Sequence, residues 1–235
     1  SASGGSLYTS SALLTTGTYY AAQKVNGCES TARTAVAVSV FSDSVGGSVS
    51  GTTSVCYGIN STTLTAAGFT GSISKWQSST VSDFSTNVTD YNIQNSTFTA
   101  NNLTSSLYYR VVVQSGGSTA YSTPAFIAVV NSSNGGTLTA VNSSVCKNEI
   151  GGTLNLSTKV GDVVQWQQST NNGATWGDIS TTSTTYNAPE LTATTQYRVE
   201  VKNGVCPSSY SNVVTIQVKD TPTVSDIPNQ EICLG

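Results

Sequence analysis

Residues 46–58 read GGSVSGTTSVCYG, and residues 135–148 read GGTLTAVNSSVCKN. Each stretch opens on Gly-Gly, alternates apolar with polar residues, and closes on Val-Cys. The echo continues downstream. Cys56 and Cys146 are 90 residues apart (146 − 56), as are Trp76 in KWQSS and Trp166 in QWQQS (166 − 76). Tyr109 in YYRVVV and Tyr197 in QYRVEV are 88 apart (197 − 109). The chain therefore carries an internal repeat of about 89 residues, and a repeat of that length decides the architecture.

Working outward, residues 15–30, TTGTYYAAQKVNGCES, reproduce the late part of the repeat, with Cys28 standing where Cys206 stands in KNGVCPSS. Residues 225–235, SDIPNQEICLG, read as the opening of a further copy, with Cys233 matching Cys146. The expected organisation is the C-terminal part of one repeat over 1–45, complete repeats over 46–130 and 135–218, and the start of another over 219–235. Neither fragment could bury a core alone.

Alternation of period two between Gly, Asn and Ser breakers places strands in the last complete copy. They fall over 138–141, 153–157, 163–168, 184–188, 196–202 and 212–218, with a short seventh over 175–179. The middle copy gives strands over 61–66, 72–77, 108–114 and 125–130. No stretch has helical periodicity. Seven short strands per period predict an all-β fold of tandem immunoglobulin-like, Greek-key antiparallel β-sandwiches in an extended array.

Two further spacings point to the core. Leu14 and Tyr20, Leu103 and Tyr109, and Leu191 and Tyr197 are each six residues apart, ahead of an apolar alternating run. In such sandwiches a Tyr at this place folds its hydroxyl back to the preceding turn, and the Leu closes the bottom of the core. Trp76 and Trp166 fall on the third strand, where a large ring fills the space between the sheets. Trp176, in NNGATWGDIS, has no counterpart in the middle copy and is the candidate surface aromatic.

Composition narrows the chemistry. Charged residues are 9% of the chain against about a quarter in ordinary domains, yet 37% are hydrophobic, enough to fold. Nine basic residues form no cluster and the formal charge is −3, which argues against a nucleic-acid surface. There is no histidine, so the usual general base, the Ser-His and Cys-His pairs and the commonest zinc ligand are all missing. Asp43, Asp162, Asp178 and Asp220 stand apart, without the Asp-x-Asp-x-Asp run of a calcium loop. Neither a catalytic residue nor a metal or cofactor site is expected.

Residues 17–40, GTYYAAQKVNGCESTARTAVAVSV, resemble the closing half of immunoglobulin-like domains found beside sorting domains in Bacteroidota surface proteins. Residues 166–179, WQQSTNNGATWGDI, with 184–212, TTYNAPELTATTQYRVEVKNGVCPSSYSN, are similar to repeats of their giant type 9-secreted adhesins, including the mobile adhesin of gliding bacteria. The resemblance implies an extracellular, outer-membrane-associated location. It also implies cell adhesion or gliding motility as the setting, and the secretion and motility machinery as partners. The middle copy departs from it, with Gly117 and Ser118 where the late cysteine should stand.

Five cysteines in a secreted chain invite pairing. One scheme joins Cys146 to Cys206 within a single repeat, but the two lie toward opposite poles of a Greek-key sandwich. The other joins Cys56 to Cys206 across a joint. The joints, SDSVGG, NSSNGG and VKDTP, are short. Asp43, Ser44 and Val45 match the Asp-Ser/Thr-aliphatic pattern of Bacteroidota O-glycosylation, making Ser44 a candidate acceptor. The expected function is a non-catalytic stalk segment of a cell-surface adhesin, touching neighbouring repeats and polysaccharide or abiotic surfaces. The alternative is a spacer or carbohydrate-binding segment of a secreted polysaccharide-degrading enzyme.

Overall fold

Strand follows strand throughout the described residues, 8, 9, 11–51 and 53–223 of a computed structural model. The segment read as the start of a further repeat lies outside them from residue 224 on, and with it Cys233. Among the described residues there is no helix. Contacts group residues up to 53, 61–101 and 106–127 into one compact unit, and 54–60, 102–105 and 128 onward into another.

The first strands are β1 (Gly17–Ala21), β2 (Lys24–Val25), β3 (Cys28–Glu29) and β4 (Thr34–Val38). β1 pairs antiparallel with β4 and β2 with β3. The middle repeat then contributes β5 (Ser48–Ser50), β6 (Thr53–Cys56), β7 (Ser61–Ala67), β8 (Ser72–Ser79), β9 (Thr89–Tyr91), β10 (Thr97–Asn101), β11 (Leu107–Ser115), β12 (Ser118–Tyr121) and β13 (Ala125–Val130). They form two sheets, ordered β10-β7-β5 and β6-β13-β11-β8-β9, with β12 also on β11.

The last repeat repeats that order with β14 (Thr137–Ala140), β15 (Ser144–Cys146), β16 (Glu149–Ser157), β17 (Asp162–Ser169), β18 (Gly177–Ile179), β19 (Thr185–Leu191), β20 (Thr195–Lys202), β21 (Ser209–Tyr210) and β22 (Val214–Lys219). Its sheets run β14-β16-β19 and β15-β22-β20-β17-β18, with β21 on β20. The fold is thus all-β, two sandwiches in tandem. Pro189, which cannot donate to a ladder, lies in β19 at a sheet edge, where a missing N–H costs least.

Alternation explains the core. In β20, Thr195, Tyr197, Val199 and Val201 point inward while Gln196, Arg198, Glu200 and Lys202 point away. Trp166, Leu154, Leu138 and Ile216 complete the apolar interior of that sandwich. Each core tryptophan keeps its one donor satisfied, Trp76 Nε1 giving to Asn95 O at 2.9 Å and Trp166 Nε1 to Ser183 O at 2.8 Å.

The Gly-Gly openings serve the first strand's entry. A Cβ on Gly46 would fall inside the backbone carbonyl of Tyr121, and one on Gly135 inside that of Tyr210. The following Gly47 and Gly136 adopt φ of 68° and 77°, a region that favours glycine. Only glycine lets the chain pass that close to the strand beside it.

The structure also departs from the sequence reading. The first strand of the last repeat divides: β14 pairs antiparallel with β16, whereas β15 crosses to the other sheet and runs parallel to β22, Cys146 facing Lys219. Cys146 therefore ends a strand that the alternation had missed. Leu14 and Tyr20, expected in a core, are 38% and 40% exposed. The β1–β4 pair has no opposing sheet among the described residues to cover them.

Candidate functional site

Two arrangements stand out, a disulfide and a pair of stacked arginines. The disulfide joins Cys56, the last residue of β6, to Cys206, which follows the Asn203-Gly204 turn after β20. Their Cα atoms are 5.0 Å apart across 150 positions of sequence. The turn is held from the preceding linker. Asn203 Nδ2 donates to Asn131 O at 2.7 Å and Asn203 N to Ser133 Oγ at 2.9 Å. Cys206 is fully buried, and its sulfur lies 3.3 Å from Asn131 O.

Cys146 carries no disulfide, so the Cys146–Cys206 scheme does not hold. The reason is strand direction. Thr195 at the start of β20 faces Ile216 of β22, and Cys146 lies beside Lys219, farther toward that same pole. β20 then runs seven residue steps to Lys202, roughly 23 Å, before the turn that bears Cys206. A disulfide needs Cα atoms within about 7 Å.

The arginine stacks occur once in each complete repeat. Arg110 Cζ sits 4.1 Å from the ring centres of both Phe84 and Tyr121, and Arg198 Cζ 4.1 Å from those of Trp176 and Tyr210. Each guanidinium is fixed in its plane by a glutamine on the neighbouring strand. Arg110 Nε donates to Gln77 Oε1 at 2.8 Å and Arg198 Nε to Gln167 Oε1 at 2.7 Å. The glutamines donate onward to Asp90 and Asp178, both at 2.8 Å. In the middle repeat Lys75 also pairs with Asp90 at 2.6 Å, and the bonds from Lys75 and Gln77 hold that carboxyl below its usual range. Planar guanidinium between two rings suits arginine and not lysine.

Trp176 is therefore half-buried with one face on Arg198, rather than a free surface ring. Its counterpart in the middle copy is Phe84, eight residues past Trp76, whereas Trp176 is ten past Trp166. That two-residue shift in the loop hid the correspondence.

Trp76, Trp166, Tyr109, Tyr197, Leu103 and Leu191 are all buried. The hydroxyl-to-turn bond expected of the tyrosines is not made by Tyr197, whose buried hydroxyl has no hydrogen-bond partner among the described residues. Burial pushes its phenol up to about 12. In the first copy it is Tyr19, not Tyr20, that makes such a bond, donating to Thr15 O at 2.8 Å. The Ser44 hydroxyl is half-buried and lies 2.9 Å from Ser118 Oγ.

One family model matches residues 45–131 and again 134–220, described as Domain of unknown function (DUF8696). The chain belongs to the DUF8696 family. Its two DUF8696 repeats are the two sandwiches, and the disulfide links one repeat to the next. No curated protein matches in sequence.

Solved structures are similar at low identity, with TM-scores of 0.50 and below. A marsupial T cell receptor is 13% identical with a TM-score of 0.50, over 75% of this chain and 73% of that one. Domains A168-A170 of titin are 14% identical with a TM-score of 0.43, over 86% and 75%. Fibronectin(III)-like modules of Clostridium thermocellum CbhA are 13% identical with a TM-score of 0.34, over 77% and 100%. The DUF8696 repeat is an immunoglobulin-like sandwich.

Proposed function

We propose that this chain is a non-catalytic spacer segment of a secreted cell-surface adhesin, carrying tension between the surface of the cell and a binding element elsewhere. The observation that carries this reading is the disulfide from Cys56 to Cys206, which ties consecutive repeats covalently. A crosslink across 150 positions contributes little to a binding site, but it fixes how far the chain can be drawn out. Disulfides persist in oxidising compartments, which agrees with an extracellular location. The arginine stacks join strands on the face of each sandwich through rings, guanidinium and amide, and they occupy one face of Trp176, Tyr121 and Tyr210. Resemblance to surface adhesin repeats supplies the setting.

The test is attachment under flow. Cells whose protein lacks residues 45–220 should attach less well, while the purified chain, spread on glass, should capture neither cells nor polysaccharide. Saturable polysaccharide binding by the purified chain would replace the spacer with a binding module. Unchanged attachment of the deletion strain would overturn the adhesin reading.

A further inference from the structure

The unbonded Cys146 occupies the same place in its repeat as the bonded Cys56 does in the one before. Each ends the short strand that crosses to the larger sheet, β6 or β15. In each, the next residue's N–H donates to the last carbonyl of the final strand. Tyr57 N donates to Val130 O, and Lys147 N to Lys219 O, both at 2.9 Å. The match extends to the receiving backbone. Asn131, whose carbonyl accepts from Asn203 beside Cys206, directly follows Val130, and Asp220 directly follows Lys219. Cys206 cannot serve Cys146, being already bonded to Cys56.

We propose that Cys146 is half of a second inter-repeat disulfide, whose partner is the turn cysteine of a following DUF8696 repeat. The partner chemistry is that of Asn203-Gly204-Val205-Cys206, an Asn-Gly turn that presents a thiol to the strand end of the repeat before it. Cys28 also follows an Asn-Gly turn, but it stands directly after Gly27 and opens β3, one residue nearer the turn than Cys206. The middle repeat, with Gly117 and Ser118 at the turn, cannot receive such a bond. There Phe41 packs so close to Gly116 that a Cβ would lie 2.7 Å from its ring. Bond formation removes two protons and two electrons from the thiols, and glutathione disulfide accepts them to give two glutathione thiols. The inference rests on the repeat geometry and not on the stalk reading.

The experiment appends a second copy of residues 132–220 directly after Asp220 of the chain and refolds the product in a glutathione redox buffer. Non-reducing peptide mapping should recover Cys56 linked to Cys206, and Cys146 linked to the turn cysteine of the appended copy. A Cys146→Ser version should keep the first bond and leave the appended turn cysteine open to alkylation. Recovery of Cys146 as an alkylated thiol while Cys56–Cys206 has formed overturns the proposal. So does a bond between the two cysteines inside the appended copy.

Discussion

Pulling on the chain tests the disulfide's mechanical consequence. Tension entering at residue 45 and leaving at residue 220 travels along the first strand to Cys56, across the sulfurs to Cys206, and out along β22. Everything between positions 56 and 206 is bypassed. At about 3.5 Å per residue, the 150 intervening steps hold roughly 520 Å of contour that tension cannot release while the bond is intact. The remaining 25 steps, 11 before Cys56 and 14 after Cys206, offer only about 90 Å. The same crosslink lowers the entropy of the unfolded chain, by as much as about 5 kcal/mol for a loop of this length. In single-molecule force spectroscopy with handles outside residues 45 and 220, the oxidised protein should show contour gains near 90 Å. Adding reductant, or the Cys56→Ser substitution, should raise the total by about 520 Å. Equal extension of the oxidised and reduced protein would refute the reasoning.

Three other outcomes follow from the packing. Arg198→Ala, which empties the space between Trp176 and Tyr210 and strands Gln167, should cost about 2–3 kcal/mol in urea unfolding, and Arg198→Lys should recover less than half; a change under about 0.5 kcal/mol would count against the stack. Gly46→Ala should cost more than about 3 kcal/mol because its Cβ meets the Tyr121 carbonyl, whereas Gly117→Ala, with open space and ordinary φ, should stay within about 0.5 kcal/mol by the same measurement. Burial raises the Tyr197 phenol from the usual 10 to about 12, so the neutral form is favoured on folding; that stability is complete below pH 10 and is lost as pH rises toward 12. Tyr197→Phe should flatten the alkaline edge of the unfolding profile, and at pH 7 it should be neutral or slightly stabilising, because the hydroxyl it removes has no partner.

Much of this was legible in the sequence. A period read from Cys56, Cys146, Trp76, Trp166, Tyr109 and Tyr197 carries the tandem sandwich directly, since each recurs at one structural place. β17 and β20 were visible because one face of each is largely buried and alternation of period two survives, whereas β8 and β11, which bury consecutive residues, were placed by following the same order in the middle copy. β15 was not visible: three residues in parallel pairing leave no alternation to see. The stacked arginines were hidden for a different reason. Their partners come from a loop of variable length, so Phe84 and Trp176 fall out of register although they do the same work. Leu14 and Tyr20 show the limit of a repeat argument, because a core position is buried only where the opposing sheet is present. The disulfide sat between two schemes in the sequence and was decided by strand direction, which places Cys146 and Cys206 at opposite poles.

The central claim is that consecutive repeats are joined covalently, and peptide mapping of the oxidised, alkylated chain tests it most directly. A single crosslinked peptide pair containing Cys56 and Cys206, with Cys28 and Cys146 recovered as alkylated thiols, is the predicted result. A Cys146–Cys206 pair, or a Cys56 thiol that alkylates without reductant, would contradict it.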